Sequence, residues 1–281
     1  MVGTLYLCAT PIGNLEDITF RVVRILKEVD LIAAEDTRNS IKLLNHYEIK
    51  TPMTSYHEFN KIEKGKYLVE QLCTGKNIAL ITDAGTPGIS DPGEELVKLC
   101  YEANVPVTSL PGAVACITAL ILSGKPTRRF CFEAFLPTDK KQRKIIIEEL
   151  VNETRSIIIY EAPHRLIKTL QELYKYMGNR EISVCRELTK RYETVLRTNF
   201  EDAIQYYTEN AIKGECVIII QGLSYAHKQE EKQMEWKLWK LSDHMSFYEQ
   251  QGFSTKEAMK LVAKDRGVAK RDIYQELLNK S

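Results

Sequence analysis

A long, stiff loop after a buried strand is the feature that most constrains the fold of this sequence. The apolar run Ile78-Ala79-Leu80-Ile81 is typical of a buried strand, and residues 82–93 (TDAGTPGISDPG) after it are mostly glycine, proline and short polar side chains. Gly85 and Gly88 permit positive φ and let a ligand approach the backbone, while two prolines stiffen the segment. Ordinary strand-to-helix connections are shorter. The loop therefore favours a small-molecule site over a purely structural role.

Two more loops of the same character follow predicted strands. They are Pro11-Ile12-Gly13 after a strand over 4–9, and Pro111-Gly112-Ala113 after a strand over 105–110. Strands alternate with helices up to a small-residue helix over 114–122 that is predicted to close the first domain, and this alternation predicts a mostly parallel sheet covered on both faces. The carboxyl ends of parallel strands share one edge, so the three loops should line one crevice suited to a nucleoside. Asp83 supplies the one formal charge between residues 82 and 88, and an Asx-turn that holds the loop is the alternative role.

The organisation of the chain indicates an α/β fold in three parts. We expect an N-terminal α/β domain over 1–122, a second α/β or α+β domain over 123–222, and a linker with a helical tail over 223–281. Residues 222–233 are polar and predict an exposed connector before three short helices. Ser254-Thr255-Lys256-Glu257 is an N-terminal capping signal in that tail. The tail is equally consistent with a helix-turn-helix and with a plain helical cap.

Charge and cysteine content exclude several classes of protein. The 281 residues carry a formal net charge of +1, so a nucleic-acid surface has to be a local patch. The seven cysteines are widely spread without zinc spacing, which indicates buried free thiols in a reducing cytosol and no metal site. The N-terminus predicts a strand rather than a signal peptide, and no apolar run reaches transmembrane length. We expect a soluble cytoplasmic protein that does not enter a membrane.

A second set of polar residues follows strands of the second part. Tyr160-Glu161-Ala162-Pro163-His164-Arg165 opens a helix, and Arg186-Glu187-Leu188-Thr189-Lys190-Arg191 lies at the end of a strand predicted over 181–187, which can pair with a strand predicted over 193–198. Their cations predict a positive edge suited to phosphates. The run 140–144 (KKQRK) adds a basic surface, unless it is simply a solvated helix face. Known phosphate and hydrolase motifs such as G-x-G-x-x-G, G-x-x-x-x-G-K-[ST] and G-x-S-x-G are absent from the sequence.

These segments together resemble a known family. The motifs ITDAGTPGISDPG, LYLCATPIGNLEDIT, AEDTR, SLPGAVACITAL, YEAPHRL, RELTKRYE and GECVIII are similar, in order, to those of the ribosomal RNA small-subunit methyltransferase I family of the tetrapyrrole methylase superfamily. Members methylate the 2′-hydroxyl of a cytidine in the decoding region of 16S rRNA. The resemblance implies two α/β domains of the tetrapyrrole methylase type with a cofactor cleft between them, a small C-terminal helical domain, and a homodimer acting on the small ribosomal subunit. S-adenosyl-L-methionine is the implied cofactor.

The resemblance also implies the residues of the site. The positions that match cofactor-binding motifs are Pro11, Ile12, Gly13, Asp83, Gly85, Thr86, Pro87, Pro111, Gly112, Val114, Ala115, Tyr160 and the segment 214–217, with Gly214 and Cys216. A 2′-hydroxyl is a poor nucleophile and needs proton removal as it attacks the methyl group. The candidates for the catalytic region are Glu187, Lys190, His164 and Arg165. Arg38 is a candidate for binding RNA phosphate or bracing the cofactor loop.

Two other functions fit part of the sequence. A tetrapyrrole (precorrin-like) C-methyltransferase would use the same cofactor site, and its basic residues would meet substrate carboxylates. A non-enzymatic RNA-binding protein that kept the fold would bind no cofactor. The TDAGTPGISDPG motif favours the rRNA enzyme over the tetrapyrrole enzyme, and the helical tail does so more weakly.

Overall fold

The computed structural model describes residues 1–210 and 212–278 of the chain. Their contacts separate two units. One comprises Met1–Glu148 and Arg155–Gln221, and the other comprises Glu149–Thr154 and the segment from Gly222 on. The first unit holds two five-stranded sheets, and described helices make up most of the second. The three-part division at residues 122 and 222 stays a prediction.

The first sheet is parallel, as the alternation of strands and helices predicts. Its strands are β1 Leu5–Cys8, β2 Leu31–Ala34, β3 Met53–Ser55, β4 Ile78–Ile81 and β5 Val107–Leu110. They lie in the order β3-β2-β4-β1-β5, and every neighbouring pair is parallel. The helices that follow the first four strands are α1 Phe20–Glu28, α2 Thr37–His46, α3 Lys61–Cys73 and α4 Gly93–Glu102. All five carboxyl ends therefore meet at one edge.

Helices cover both faces of this sheet. All four residues of β4 are buried, as expected for a central strand with an apolar layer on each side. One core cluster includes Val22 and Leu26 of α1, and the other includes Leu68 of α3 and Leu96 of α4. Each fully buried aliphatic side chain of this size contributes roughly 1.5–3 kcal/mol, so the two apolar layers hold the loop-bearing edge in place.

The second sheet is mixed. Its strands are β6 Phe130–Phe135, β7 Ser156–Glu161, β8 Glu181–Arg186, β9 Thr194–Asn199 and β10 Cys216–Ile220, and the helices are α6 Lys140–Val151, α7 Leu166–Met177 and α8 Phe200–Glu209. The order is β6-β7-β10-β8-β9. β6 is parallel to β7, whereas β10 is antiparallel to both neighbours and β8 is antiparallel to β9, which confirms the predicted pairing of those two. The carboxyl ends of β6, β7 and β8 and the amino end of β10 consequently share one edge.

One helix departs from the predicted arrangement. The helix predicted over 114–122 was expected to close the first domain, and it forms α5, Ala115–Ser123. It packs on the second sheet instead, where Cys116, Ala119 and Leu120 join a core cluster with Ile158 and Ile219. Small side chains on this helix allow a close approach to the strands. The helix that begins in a loop of the first sheet thus ties that loop to the second sheet.

The second unit is helical, and its first helix corrects a prediction. Its helices are α9 Tyr225–Leu238, α10 Leu241–Glu249, α11 Thr255–Arg266 and α12 Lys270–Leu278. The exposed connector predicted over 222–233 is wrong from Tyr225 on, because α9 begins there. The predicted capping signal is confirmed, with the Ser254 and Glu257 side chains in a capping box. Gly267 has φ 64° and ends α11, and a small core around Met245, Val262 and Ile273 joins α10, α11 and α12.

Within residues 1–210 and 212–278, no helix is long and apolar enough to cross a membrane.

Candidate functional site

A cavity of about 400 Å³ lies where the edges of the two sheets meet. It takes its walls from the loops after β1, β4 and β5 and from the edge of the second sheet. The lining residues are Ile12, Ala84, Gly85, Thr86, Ile89, Val114, Ala115, Tyr160, Glu187, Leu188, Lys190, Gly214, Glu215, Cys216 and Val217. Small-molecule sites are typically clefts of roughly 300–1,000 Å³ with mostly apolar walls and a few polar groups.

Backbone and hydroxyl hydrogen bonds hold the three predicted loops together. The backbone N–H groups of Thr10 and Gly85 each donate to the other residue's carbonyl, at 2.8 and 3.1 Å. Gly85 has φ 86°, a conformation that glycine adopts without strain. The Thr86 hydroxyl donates to the carbonyl of Ala113 at 3.0 Å, which joins the second loop to the third. Gly112 lies so close to β1 that an added Cβ would be 2.4 Å from the Cβ of Ala9. The structure thus brings the three loops together, as predicted.

Asp83 does not face the cavity. Its carboxylate accepts from the backbone N–H of Asp36 at 3.2 Å and from Nδ2 of Asn39 at 3.0 Å, so it braces the start of α2. Its own N–H donates to Glu35 at 3.3 Å. Burial raises the pKa of Glu35. The hydrogen bond from the Asp83 N–H acts in the opposite direction, and the negative charge of Asp83 raises the pKa further. An Asx-turn, the alternative role predicted for Asp83, would use hydrogen bonds within the loop, whereas both hydrogen bonds of the Asp83 carboxylate run to the start of α2.

Arg38 lies at the same end of the first sheet. Its guanidinium pairs with Asp36 at 2.7 Å, and these hydrogen bonds lower the pKa of Asp36 to about 2. The Arg38 side chain is 87% exposed and does not line the cavity.

The turn after β8 carries two charged residues of the site. Nζ of Lys190 lies 2.9 Å from Oε1 of Glu187, and both residues line the cavity. Glu187 has φ 52° and Thr189 has φ 65°, conformations that cost free energy for residues with a Cβ. The backbone N–H of Asn14 donates to the Thr189 hydroxyl at 3.0 Å. The first loop therefore helps to hold a strained turn in which an ion pair faces the cavity.

Two glycines make room for this turn. A Cβ at Gly13 would lie 2.5 Å from Cγ of Lys190, and a Cβ at Gly214 would lie 2.0 Å from Oε1 of Glu187. Gly13 thus lies behind the turn rather than on the cavity wall, whereas Gly214 is on the wall. Both positions match the family motifs, and packing explains the need for glycine at each.

Tyr160 joins the second sheet to α5 at the cavity. Its hydroxyl accepts from the backbone N–H of Cys116 at 3.0 Å, which satisfies one of the free N–H groups at the start of that helix. Its ring contacts Phe132 and Phe135, with centroids 5.0 and 5.6 Å away. Burial raises the pKa of Tyr160, so the hydroxyl keeps its proton at neutral pH. Burial likewise raises the pKa of the Cys216 thiol, to about 12, which leaves an inert apolar wall there.

His164 and Arg165 stand outside the cavity lining. His164 is exposed just before α7. Arg165 donates to the carbonyl of Leu136 at 3.0 Å, and its Nε lies 3.3 Å from the carboxylate of the fully buried Glu161. Arg165 therefore compensates the charge of a buried carboxylate. The local sequence does not reveal this role, because it does not show that Glu161 is buried.

The predicted cofactor-binding residues divide between wall and support. Those on the wall are Ile12, Gly85, Thr86, Val114, Ala115, Tyr160, Gly214 and Cys216. Those not on the wall are Pro11, Gly13, Asp83, Pro87, Pro111 and Gly112. Sequence reasoning missed Ala84, Ile89 and Leu188, which lie inside the quoted motifs but carry no polar group that would mark them. Among the described residues, no group of three or more His, Cys, Asp or Glu side chains is placed to hold a metal ion.

Comparison with known families gives a match over most of the chain. A family model described as Tetrapyrrole (Corrin/Porphyrin) Methylases matches residues 4–204. The chain is 52% identical over 272 residues to a Halalkalibacterium halodurans protein named ribosomal RNA small subunit methyltransferase I, covering 97% of this chain and 93% of that protein. It is 47% identical over 273 residues to the Bacillus subtilis protein of the same name, with the same coverage of 97% and 93%.

Solved structures share the fold at low sequence identity. A diphthine synthase superimposes with a TM-score of 0.63 at 12% identity, over 81% of this chain and 94% of that one. A uroporphyrin-III C-methyltransferase from Thermus thermophilus, complexed with S-adenosyl homocysteine, gives 0.55 at 18% identity, over 78% and 97%. At such identities the likeness concerns the fold alone.

Proposed function

Since this chain belongs to the tetrapyrrole (corrin/porphyrin) methylases, we propose that it transfers a methyl group from S-adenosyl-L-methionine to the ribose 2′-hydroxyl of a cytidine in 16S rRNA. The chain is a methyltransferase, and relatives at 52% and 47% identity over 97% of it carry the name ribosomal RNA small subunit methyltransferase I. The observation that carries the proposal is the cavity at the sheet edges, where the Glu187–Lys190 ion pair faces three small-residue loops.

The cavity fits the cofactor in size and chemistry. Its volume of about 400 Å³ is in the range of sites for a ligand of this size. Apolar groups such as Ile12, Ile89 and Val217 suit the adenine and the aliphatic chain of the cofactor. We assign cofactor binding to the wall residues of the three loops, with Tyr160 and the segment 214–217. Asp83, Pro11, Gly13, Pro87, Pro111 and Gly112 support those loops from behind.

When bound, S-adenosylmethionine supplies a methyl group on a sulfonium centre that a nucleophile can attack in line. The protein must place the 2′-oxygen within about 3–3.5 Å of that carbon and accept its proton. Glu187 is the acceptor that we assign, since it faces the cavity and is 23% exposed. Lys190 holds the Glu187 carboxylate in place and brings a positive charge to the substrate side. Orientation contributes more here than basicity, because a carboxylate is a weak base for a hydroxyl.

His164 and Arg165 are assigned no contact with the reacting atoms. They remain candidates for the catalytic region only through substrate binding or through support of the strand ends. Neither lies on the cavity wall.

The tetrapyrrole C-methyltransferase function has weaker support. The proteins whose names include tetrapyrrole substrates match this chain at 16–18% identity, which speaks for the fold. The relatives that cover 97% of the chain at 52% and 47% identity are named for ribosomal RNA. We also propose a cytoplasmic homodimer, as the family resemblance implies, and sedimentation of the full chain would test the dimer.

Methyl transfer from labelled S-adenosylmethionine tests the function. Unmodified small ribosomal subunits, naked 16S rRNA and a tetrapyrrole precursor would be offered in parallel. We expect label in 2′-O-methylcytidine with one of the RNA substrates. Label only in the tetrapyrrole would overturn the substrate, and absence of both methyl transfer and S-adenosylhomocysteine binding would favour a non-enzymatic RNA-binding protein.

Two variants test the assigned roles in the same assay. Glu187→Gln is expected to lower kcat by roughly 10²–10⁴-fold, the range for loss of acid–base catalysis, with little change in S-adenosylhomocysteine affinity. Glu28→Gln is the matched control, because Glu28 forms an exposed ion pair with Arg24 on α1. Equal kcat in both variants would exclude Glu187 as the proton acceptor.

A further inference from the structure

The two edges that meet at the cavity differ in charge. On the first sheet, the residues after the strands include Glu35, Asp36, Asp83 and Asp91, and the cation Arg38, which follows β2, is paired with Asp36. On the second sheet, exposed basic residues follow three strands or precede the fourth. They are Lys140 and Lys141 after β6, His164 after β7, Lys190 and Arg191 after β8, and Lys213 before β10.

Strand pairing places the strand ends that these basic residues follow or precede in one row. Cys216 at the start of β10 pairs with Glu161 at the end of β7 and with Arg186 at the end of β8, and Phe135 at the end of β6 pairs with Tyr160. Neighbouring strands are about 4.8 Å apart, so the row from β6 to β8 spans roughly 14 Å. Tyr160 and Cys216 of this row line the cavity.

The carboxylates on this edge are mostly engaged with the protein itself. Asp139 accepts from the backbone N–H groups of Lys141 and Gln142 at the start of α6. Glu193 accepts from the backbone N–H of Thr189 at 2.7 Å, and Glu187 pairs with Lys190. Glu215 is the exposed carboxylate that lines the cavity. A polyanion is therefore favoured along the second edge and repelled by the first.

An exposed aromatic side chain completes this surface. Tyr192 is 67% exposed in the hairpin between β8 and β9, next to the cavity turn. The Arg191 guanidinium lies over its ring at 5.5 Å from the centroid. Single-stranded RNA is held by such a combination, in which cations follow the backbone and an aromatic face stacks on a base.

We propose that the RNA strand reaches the cavity along the edge of the second sheet, with phosphates on Lys140, Lys141 and Lys213 and a base stacked on Tyr192. The inference rests on the proposed function, since it says where that substrate lies. It also assigns no RNA backbone to the acidic edge of the first sheet, which excludes the alternative that Arg38 binds phosphate.

The test compares two triple variants. Lys140→Gln/Lys141→Gln/Lys213→Gln removes three proposed phosphate contacts, and Lys66→Gln/Lys98→Gln/Lys175→Gln removes three exposed lysines from α3, α4 and the far end of α7. The measurement is the slope of log kcat/KM against log salt concentration for RNA methylation, with S-adenosylhomocysteine binding in parallel. Each lost contact with a single strand should make the slope shallower by about 0.7. We therefore expect the slope of the first variant to be shallower than that of wild type by about 2, and the slope of the control to be almost unchanged.

The outcomes separate this inference from the proposed function. Wild-type protein that methylates no RNA would refute the proposed function itself. Wild-type activity with equal slopes in both triple variants, or a reduced slope in Arg38→Gln, would overturn the RNA path.

Tyr192 gives an independent test. Tyr192→Ala is expected to lower kcat/KM roughly 5- to 150-fold, the range for loss of one base–aromatic stack, and Tyr192→Phe should restore it. Equal loss in Tyr192→Ala and Tyr192→Phe would exclude stacking.

Discussion

An added Cβ at Gly214 would lie 2.0 Å from Oε1 of Glu187, so the shape of the turn after β8 depends on a glycine just before the neighbouring strand β10. Gly214 has φ 77°, and the adjacent Glu187 has φ 52°. The Glu187 carboxylate can occupy its observed position because Gly214 has no side chain.

Gly214→Ala is expected to displace Glu187 and lower kcat by roughly 10²-fold, since a shift of about 1 Å in a catalytic group costs that much. It should also lower the free energy of unfolding by about 1–3 kcal/mol through backbone strain. Gly178→Ala is the control, because Gly178 has φ 70° and an added Cβ meets nothing within 4 Å. Methyl-transfer kinetics and urea unfolding measure the two effects. An equal loss of kcat in both variants would mean that strain alone is responsible.

Asp83 is expected to act on the cofactor through α2. Asp83→Ala removes hydrogen bonds to Asp36 and Asn39 and should weaken S-adenosylhomocysteine binding through movement of the loop. Loss of one such bond typically costs about 1 kcal/mol of stability. Asn39→Ala should reproduce part of the effect, and the double variant should be less than additive. Calorimetric titration gives the affinities, and full additivity would indicate that Asp83 contacts the cofactor directly.

Tyr160→Phe is expected to loosen the start of α5. The hydroxyl accepts from the backbone N–H of Cys116, and leaving that buried donor unsatisfied costs about 1–3 kcal/mol. We expect lower thermal stability and weaker cofactor binding, because α5 starts at the cavity wall. Tyr101→Phe is the matched control, since Tyr101 is 67% exposed on α4. Unchanged melting in Tyr160→Phe would mean that water replaces the lost acceptor.

His244 is expected to make the helical tail sensitive to acid. Its ring is fully buried and stacked on Trp236, with centroids 4.1 Å apart. Its Nδ1 accepts from Nε of Arg266 at 3.2 Å, an arrangement that requires the neutral ring nitrogen. Burial lowers the pKa of His244, with the positive charge of Arg266 acting in the same direction and the hydrogen bond to Asp265 acting against both.

The unfolded chain takes up a proton on His244 near its ordinary pKa of about 6.5, whereas the folded tail does so only at lower pH. The free energy of unfolding should therefore keep its maximum value above about pH 6.5 and decrease as the pH drops below it. The chain has two tryptophans: Trp236 lies in α9, and Trp239 directly follows that helix. Urea unfolding followed by tryptophan fluorescence therefore reports on this unit. His46→Gln, at an exposed position, is the control for His244→Gln. If acid lowers the free energy of unfolding by the same amount in wild type and in His244→Gln, His244 is not the residue that makes the tail sensitive to acid.

Local signals in the sequence were sufficient for most elements. The apolar run 78–81 forms β4, the Ser254 and Glu257 capping box begins α11, and the predicted pair over 181–187 and 193–198 forms β8 and β9. These features depend on residues within a few positions of one another. The connector predicted over 222–233 failed from Tyr225 on, since a polar segment without periodicity does not reveal a helix.

By itself, the sequence determined the alternation of strands and helices, the parallel first sheet and the three glycine- and proline-rich loops that belong at one edge of it. Tertiary structure alone decided that α5 packs on the second sheet, that Asp83 faces α2, and that Arg165 pairs with buried Glu161. It also placed Thr189 against Asn14, 175 positions away in the chain. Such contacts depend on which surfaces meet once the sheets have formed, and no periodicity, cap or turn signal within either segment specifies the partner.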